Sequence, residues 1–140
     1  MKFDNTLLTN FLDEYRIRYK VDDDGYVEFV YNGRHLVGCV ESPSDKDTDG
    51  YGFVGALVLG IRNVYEAPTN DVKNFLKLVN HLNAICPGCV KFVIDEDSNM
   101  LYIETATPLD STPEIDDIVP GLVNLLIDAH NEFNKAIGRL

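Results

Sequence analysis

Positive charge is scarce in this chain. Twelve Lys and Arg stand against twenty-three Asp and Glu, a formal net charge of −11. A field of that sign repels phosphate backbones and anionic lipid headgroups, which argues against nucleic acid and membrane surfaces as partners. It favours solubility and basic or amphipathic protein partners. Long apolar runs are missing too, so no segment reads as a membrane span. The opening Met1-Lys2-Phe3-Asp4-Asn5-Thr6 is too polar for a signal peptide, and the expected location is the cytoplasm. Cysteine is limited to Cys39, Cys86 and Cys89, an odd number that suits a disulfide framework poorly and should stay reduced in that compartment. Internal repeats and low-complexity tracts are absent. So are the G-x-S-x-G, H-E-x-x-H and Walker A patterns, and His35, His81 and His130 have no nucleophile partner in sequence. The expectation is a non-enzymatic protein with no catalytic residues, resident metal or cofactor.

What is present fits one domain over residues 1–140. An ordinary hydrophobic share of 45% argues against disorder. Asp4 can cap a helix with apolar positions Leu7, Leu8, Phe11, Leu12 and Tyr15, and Phe3 and Leu8 are spaced as a hydrophobic staple. Ile17, Tyr19 and Val21 alternate with Arg16, Arg18 and Lys20, which is strand periodicity. After the turn Asp22-Asp23-Asp24-Gly25, Val27, Phe29 and Tyr31 resume it. Asn32-Gly33 predicts a hairpin, because both central turn residues need positive φ, and a strand His35 to Glu41 follows. Ser42 to Gly50 reads as a polar loop. The run from Phe53 to Val64 is apolar in both phases (Phe53, Leu57, Leu59 and Ile61 against Val54, Ala56, Val58 and Val64). That pattern predicts a central strand covered on both faces.

Pro68-Thr69 predicts a helix start with Thr69 as cap; Val72, Phe75, Leu76, Val79, Leu82 and Ile85 form its stripe, and Pro87-Gly88 ends it. A second hairpin follows, with Val90, Phe92 and Ile94, a turn at Glu96 to Asn99, then Leu101 and Ile103. Thr112-Pro113-Glu114 predicts a cap and first-turn proline for a last helix carrying Ile118, Leu122, Leu125, Leu126, Ala129, Phe133 and Ile137, with Pro120 as a kink. The order α-β-β-β-β-α-β-β-α predicts an α+β fold, a mostly antiparallel sheet with helices segregated to one side.

That order, together with particular runs, is similar to the YbjN-like (sensory-transduction-regulator) family, whose fold is that of class I type III secretion chaperones. The residues are Phe11-Leu12-Asp13-Glu14-Tyr15 before Tyr19-Lys20-Val21-Asp22, and Phe75 through Asn83 with Asn80-x-x-Asn83. Val90-Lys91-Phe92-Val93-Ile94-Asp95, a short acidic turn, Leu101-Tyr102-Ile103-Glu104 and a long final helix complete them. The resemblance covers nearly the whole chain. It implies a bacterial homodimer that binds a protein or peptide client, with no catalytic residue to carry over. Fold alone does not settle function.

Three constellations look like chemistry. Gly50-Tyr51-Gly52-Phe53-Val54-Gly55 satisfies G-x-G-x-x-G, yet phosphate binding needs a strand before it and a helix after it. Here an acidic loop precedes and a β-like run follows. Asp45-Lys46-Asp47-Thr48-Asp49-Gly50 begins like a calcium loop, but Ala56 stands where the bidentate Glu belongs, so the expectation is no tight cation site at Asp45, Asp47 and Asp49. Cys86-Pro87-Gly88-Cys89 is the sharpest signal. Redox dithiols sit at a helix N-terminus, where the dipole lowers a thiol pKa; this pair follows a helix C-terminus, which raises it. Zinc would need two more ligands, for which His35 and Cys39 share a strand face. A thiol or zinc protein using Cys86 and Cys89 is the alternative to a protein-binding regulator.

Overall fold

The computed structural model describes residues 4–42, 53–110 and 113–139, and at Phe53 and Val54 the backbone only. Three helices and six strands follow one another as α1 (Thr6–Glu14), β1 (Tyr19–Val21), β2 (Val27–Tyr31), β3 (Arg34–Glu41), β4 (Phe53–Glu66), α2 (Val72–Ile85), β5 (Val90–Ile94), β6 (Met100–Asp110) and α3 (Ile115–Ile137). The strands make a single sheet in the order β1-β2-β3-β4-β6-β5, antiparallel at every pairing. This is the α+β architecture and element order that the sequence predicts.

Local chemistry explains the turns. Asn32 and Gly33 both take positive φ, 50° and 75°, as the β2–β3 hairpin demands. Asp22 Oδ1 accepts from the backbone N–H groups of Asp24 (3.0 Å) and Tyr26 (2.9 Å), so the acidic β1–β2 turn is held by its first carboxylate. Asp4 Oδ1 accepts from the Thr6 N–H at 2.9 Å, the capping bond expected of it, although Asn5 is the residue next to the helix. Phe3 and Thr112, expected as a staple partner and a cap, lie outside the described residues.

The helices form one layer on one sheet face: α3 lies between α1 and α2 and packs on β4, β5 and β6, α1 on β3, α2 on β5. Beneath it Leu8, Leu12, Leu36, Leu57, Leu59, Leu101, Ile103, Val123 and Leu126 are fully excluded from solvent. Gly38 makes the α1 contact close. A Cβ there would lie 2.5 Å from Leu59 Cδ2 and 2.9 Å from Leu8 Cδ2.

Three features differ from expectation. The helix α2 starts at Val72, because Asp71 adopts left-handed backbone (φ 55°) that cannot continue into a helix, so Thr69 is not the cap. Pro113 and Glu114 precede α3, whose first residue is Ile115; Pro120 is carried inside the helix. The third concerns β4. It is central, but the helical layer covers one of its faces only.

Candidate functional site

The second face of the sheet carries no helix among the described residues. Strand register fixes who stands on it. One row crosses all six strands as Lys20, Glu28, Val37, Gly60, Glu104 and Lys91. Lys20 Nζ meets Glu28 Oε2 at 3.3 Å. Cys39 pairs with Val58 across β3 and β4, and Val93 with Tyr102 across β5 and β6. The centre of the face is therefore apolar (Val37, Val58, Gly60) and its margins are charged.

A hollow of about 540 Å³ lies on this face. Val37, Cys39 and Val58 are on its lining with Tyr26, Arg62 and Tyr102, while Asp24 and Asp95 approach from the turns at either end. Gly60 belongs to the floor, where a Cβ would stand 3.1 Å from the Ile103 carbonyl oxygen.

Arg62 stands at the start of a bulge. Four steps along β4, Ile61 to Tyr65, match two along β6, Ile103 to Leu101, so β4 holds two extra residues here. Asn63 takes φ 55° within it. The guanidinium lies 4.8 Å from the Tyr26 ring centroid and its Nη1 reaches Asp22 Oδ2 at 3.5 Å. Within the bulge the alternation is broken: Val64, expected beside Val58 and Ala56, packs against the helical core, and Tyr65 beyond it is back on the side of Ile61, against Phe75 and Phe133.

The ionisable groups are held by neighbours. Hydrogen bonds from the Tyr26 and Asp24 amides keep Asp22 below the usual carboxylate range, with Arg62 adding to them and partial burial opposing. Asp95 is lowered by the Ser98 hydroxyl at 2.7 Å and by backbone amides. Burial, then Glu104, Asp95 and Tyr26, raises the Tyr102 phenol. The Cys39 thiol is raised by burial first, then by Glu41 and Glu104, against a lowering from Arg62. A thiol so placed is a poor nucleophile at neutral pH.

The residues singled out by sequence separate in space. His35 and Cys39 face the open side of β3. Cys86 instead packs against the helical core, next to α2, while Cys89 is exposed. The three thiols are free. Cys86 is raised by burial first and Glu132 second; the direction is the expected one, the cause is not the helix dipole. No group of three or more His, Cys, Asp or Glu among the described residues is placed to hold a metal ion. Asp45, Asp47, Asp49 and Gly50 to Gly52 lie outside the described residues, and from Phe53 the chain is strand, not the helix a phosphate loop needs.

Tyr26, Arg62 and the uncovered phase of β4 have no motif. Their signal was the phase itself: Ala56, Val58, Gly60, Arg62 ends an apolar series on a charge, which a doubly covered strand would not tolerate.

Among solved structures, the chain is similar to an uncharacterized protein from Methanothermobacter thermautotrophicus, at 14% identity and a TM-score of 0.57, over 96% of each chain. A likeness at that identity shows the fold alone. No family model matches the chain, and no curated protein does. No helix among the described residues is long and apolar enough to cross a membrane.

Proposed function

We propose that this chain is a non-enzymatic, cytoplasmic protein-binding regulator, chaperone-like in manner, which works as a homodimer and holds a protein or peptide client on the uncovered face of its sheet. One observation carries the reading: the central strand β4 is apolar on a face that no helix among the described residues covers. Val58 and Cys39, both half-buried on the hollow's lining, offer a client apolar contact, and Asp24, Asp95 and Glu104 favour one that brings basic groups to the margin. The YbjN-like resemblance points the same way. The raised Cys39 and Cys86 thiols weigh against the thiol alternative.

A photo-crosslinking residue in place of Val58, on the open face, tests this against the same residue in place of the exposed Lys73 on α2. The expected result is a discrete set of proteins captured from position 58, lost when Tyr102→Asp, half-buried on the same lining, is added. Equal capture from both positions would remove the case for the face.

A further inference from the structure

We propose that the groove between α2 and α3 is a second docking site, shaped for an acidic amphipathic helix of a protein partner. It lies in the helical layer, away from the open sheet face, so it stands or falls independently of the client reading above. Helix α2 runs from Val72 to Ile85 without a single Asp or Glu, in a chain with twenty-three. Its side facing α3 presents Lys77 and His81, one turn apart; opposite them stand Lys135 in the last turn of α3 and Arg139 in the turn that follows it. Between these walls, which carry the cations Lys77, Lys135 and Arg139, the floor is apolar, formed by Leu78, Leu82, Ile85 and Ala136, and the trough holds about 440 Å³.

The sign and the layout together select the occupant. Among the described residues Glu132 is the one acid on the lining; it spends its charge on Lys135 at 3.5 Å and sits by Cys86, whose thiol it raises after burial has done so. The trough thus keeps a positive surplus in an acidic protein. A free phosphate calls for donors converging on a point, whereas these are strung along both sides of an apolar strip. From Asn74 to Ile85 the groove is about 16 Å long, near three helical turns. A helix with leucines on one stripe and carboxylates one turn apart on both flanks meets every feature of it. A second copy does not, because a two-fold contact here would set Lys77, Lys135 and Arg139 against cations of the same kind.

The test uses the full chain and a synthetic, end-capped helix of about 15 residues, with leucine at i, i+3 and i+4 positions and glutamate elsewhere. Its controls are the lysine version of that peptide, inorganic tripolyphosphate and phosphatidylserine vesicles. The acidic peptide should bind, with amide shifts concentrated on α2 and the last two turns of α3. Lys77→Glu with Lys135→Glu should weaken it about tenfold or more, since attraction becomes repulsion at two points. Lys20→Glu with Lys91→Glu changes net charge equally at the sheet margins and should cost about twofold or less, as screened distant charges do. Shift mapping on the unaltered chain keeps the question open to refutation even where a variant misfolds. Equal losses in the two pairs of variants, shifts on the sheet face, no binding by about a millimolar, or displacement of the peptide by tripolyphosphate or vesicles would each overturn the proposal.

Discussion

Asn83 Oδ1 accepts from the Phe92 N–H at 2.8 Å while Asn83 Nδ2 donates to the Phe92 carbonyl at 3.1 Å. One side-chain amide thereby does for the outer edge of β5 what another strand would do. Asn5 works similarly, accepting from the Val40 N–H at 2.8 Å and donating to the Gly25 carbonyl at 2.6 Å. Asn83→Ala should cost about 1–3 kcal/mol by orphaning both Phe92 groups, seen as a lower urea midpoint and faster exchange of the Phe92 amide. The residue stood in plain view as part of Asn80-x-x-Asn83, but a bond to a strand nine residues on is tertiary information and leaves no local mark. Thr105 is the opposite case. It is 1% exposed on the core face of β6, and its Oγ1 finds no partner among the described residues. Thr105→Val keeps the shape and removes an unsatisfied hydroxyl, so stability should rise by about 1 kcal/mol in denaturant titration. His130 adds a pH term. Its Nδ1 is buried without a partner among the described residues, and burial, then Arg34, holds its pKa below the ordinary value. The unfolded chain takes up that proton first on acidification. The stabilising contribution is full above the unfolded histidine value and declines as pH falls below it, towards the folded one. Between about pH 7.5 and about pH 5.5 the urea midpoint should drop, and drop less in His130→Asn.

Elements with a strict period were legible from sequence. The alternation in β2, β3 and β5 and the paired positive φ of Asn32-Gly33 are properties of neighbouring residues, and the structure returns them almost unchanged. Where a boundary depends on one backbone torsion, sequence failed. Asp71 leaves the helical region, its carboxylate accepts from the Asn74 side chain at 3.1 Å, and α2 begins three residues beyond Thr69. The bulge in β4 escaped for a related reason: strict alternation was assumed to run through Arg62 and Asn63, so Val64 was given the wrong face. The apolar character of both β4 faces was read correctly, but hydrophobicity cannot say whether the cover comes from this chain or another. Element packing makes a sharper prediction at Gly38. Leu8 and Leu59 are both fully buried and cannot swing aside for a Cβ. Gly38→Ala should therefore cost about 1–3 kcal/mol, as overpacked cores do. Gly88→Ala, with nothing within 4 Å of its Cβ, should stay within about 0.5 kcal/mol. Comparable losses at the two sites would show that α1 does not rest on β3 as described.

Charge decides how whole molecules can meet. Two chains of −11 repel, so the proposed dimer needs a contact poor in acids and apolar at its centre. Helix α2 supplies such a stretch, free of acids over its whole length, and its two flanks differ. Lys77 and His81 line the groove towards α3. Val72 and Leu76, 40% and 44% exposed, fall at i and i+4 on the flank that carries Asn83, beside the β5 edge. A two-fold axis near Leu76 would lay α2 against its copy with apolar side chains inward and no carboxylate from either helix buried. It would also leave both the sheet face and the cationic groove open, so client and acidic helix could bind the same dimer. Light scattering coupled to size exclusion should give twice the 15.7 kDa chain mass at about tens of micromolar protein, the concentration range of modest affinities. Added salt should leave that mass unchanged or tighten the dimer, because screening removes repulsion between the acidic surfaces and takes nothing from apolar contact. Leu76→Asp places a charge at the axis opposite its own copy and should yield monomer with an unaltered urea midpoint at high dilution. A monomer mass for the unaltered chain in both low and high salt would sink the dimer, and a Leu76→Asp dimer would move the contact off α2.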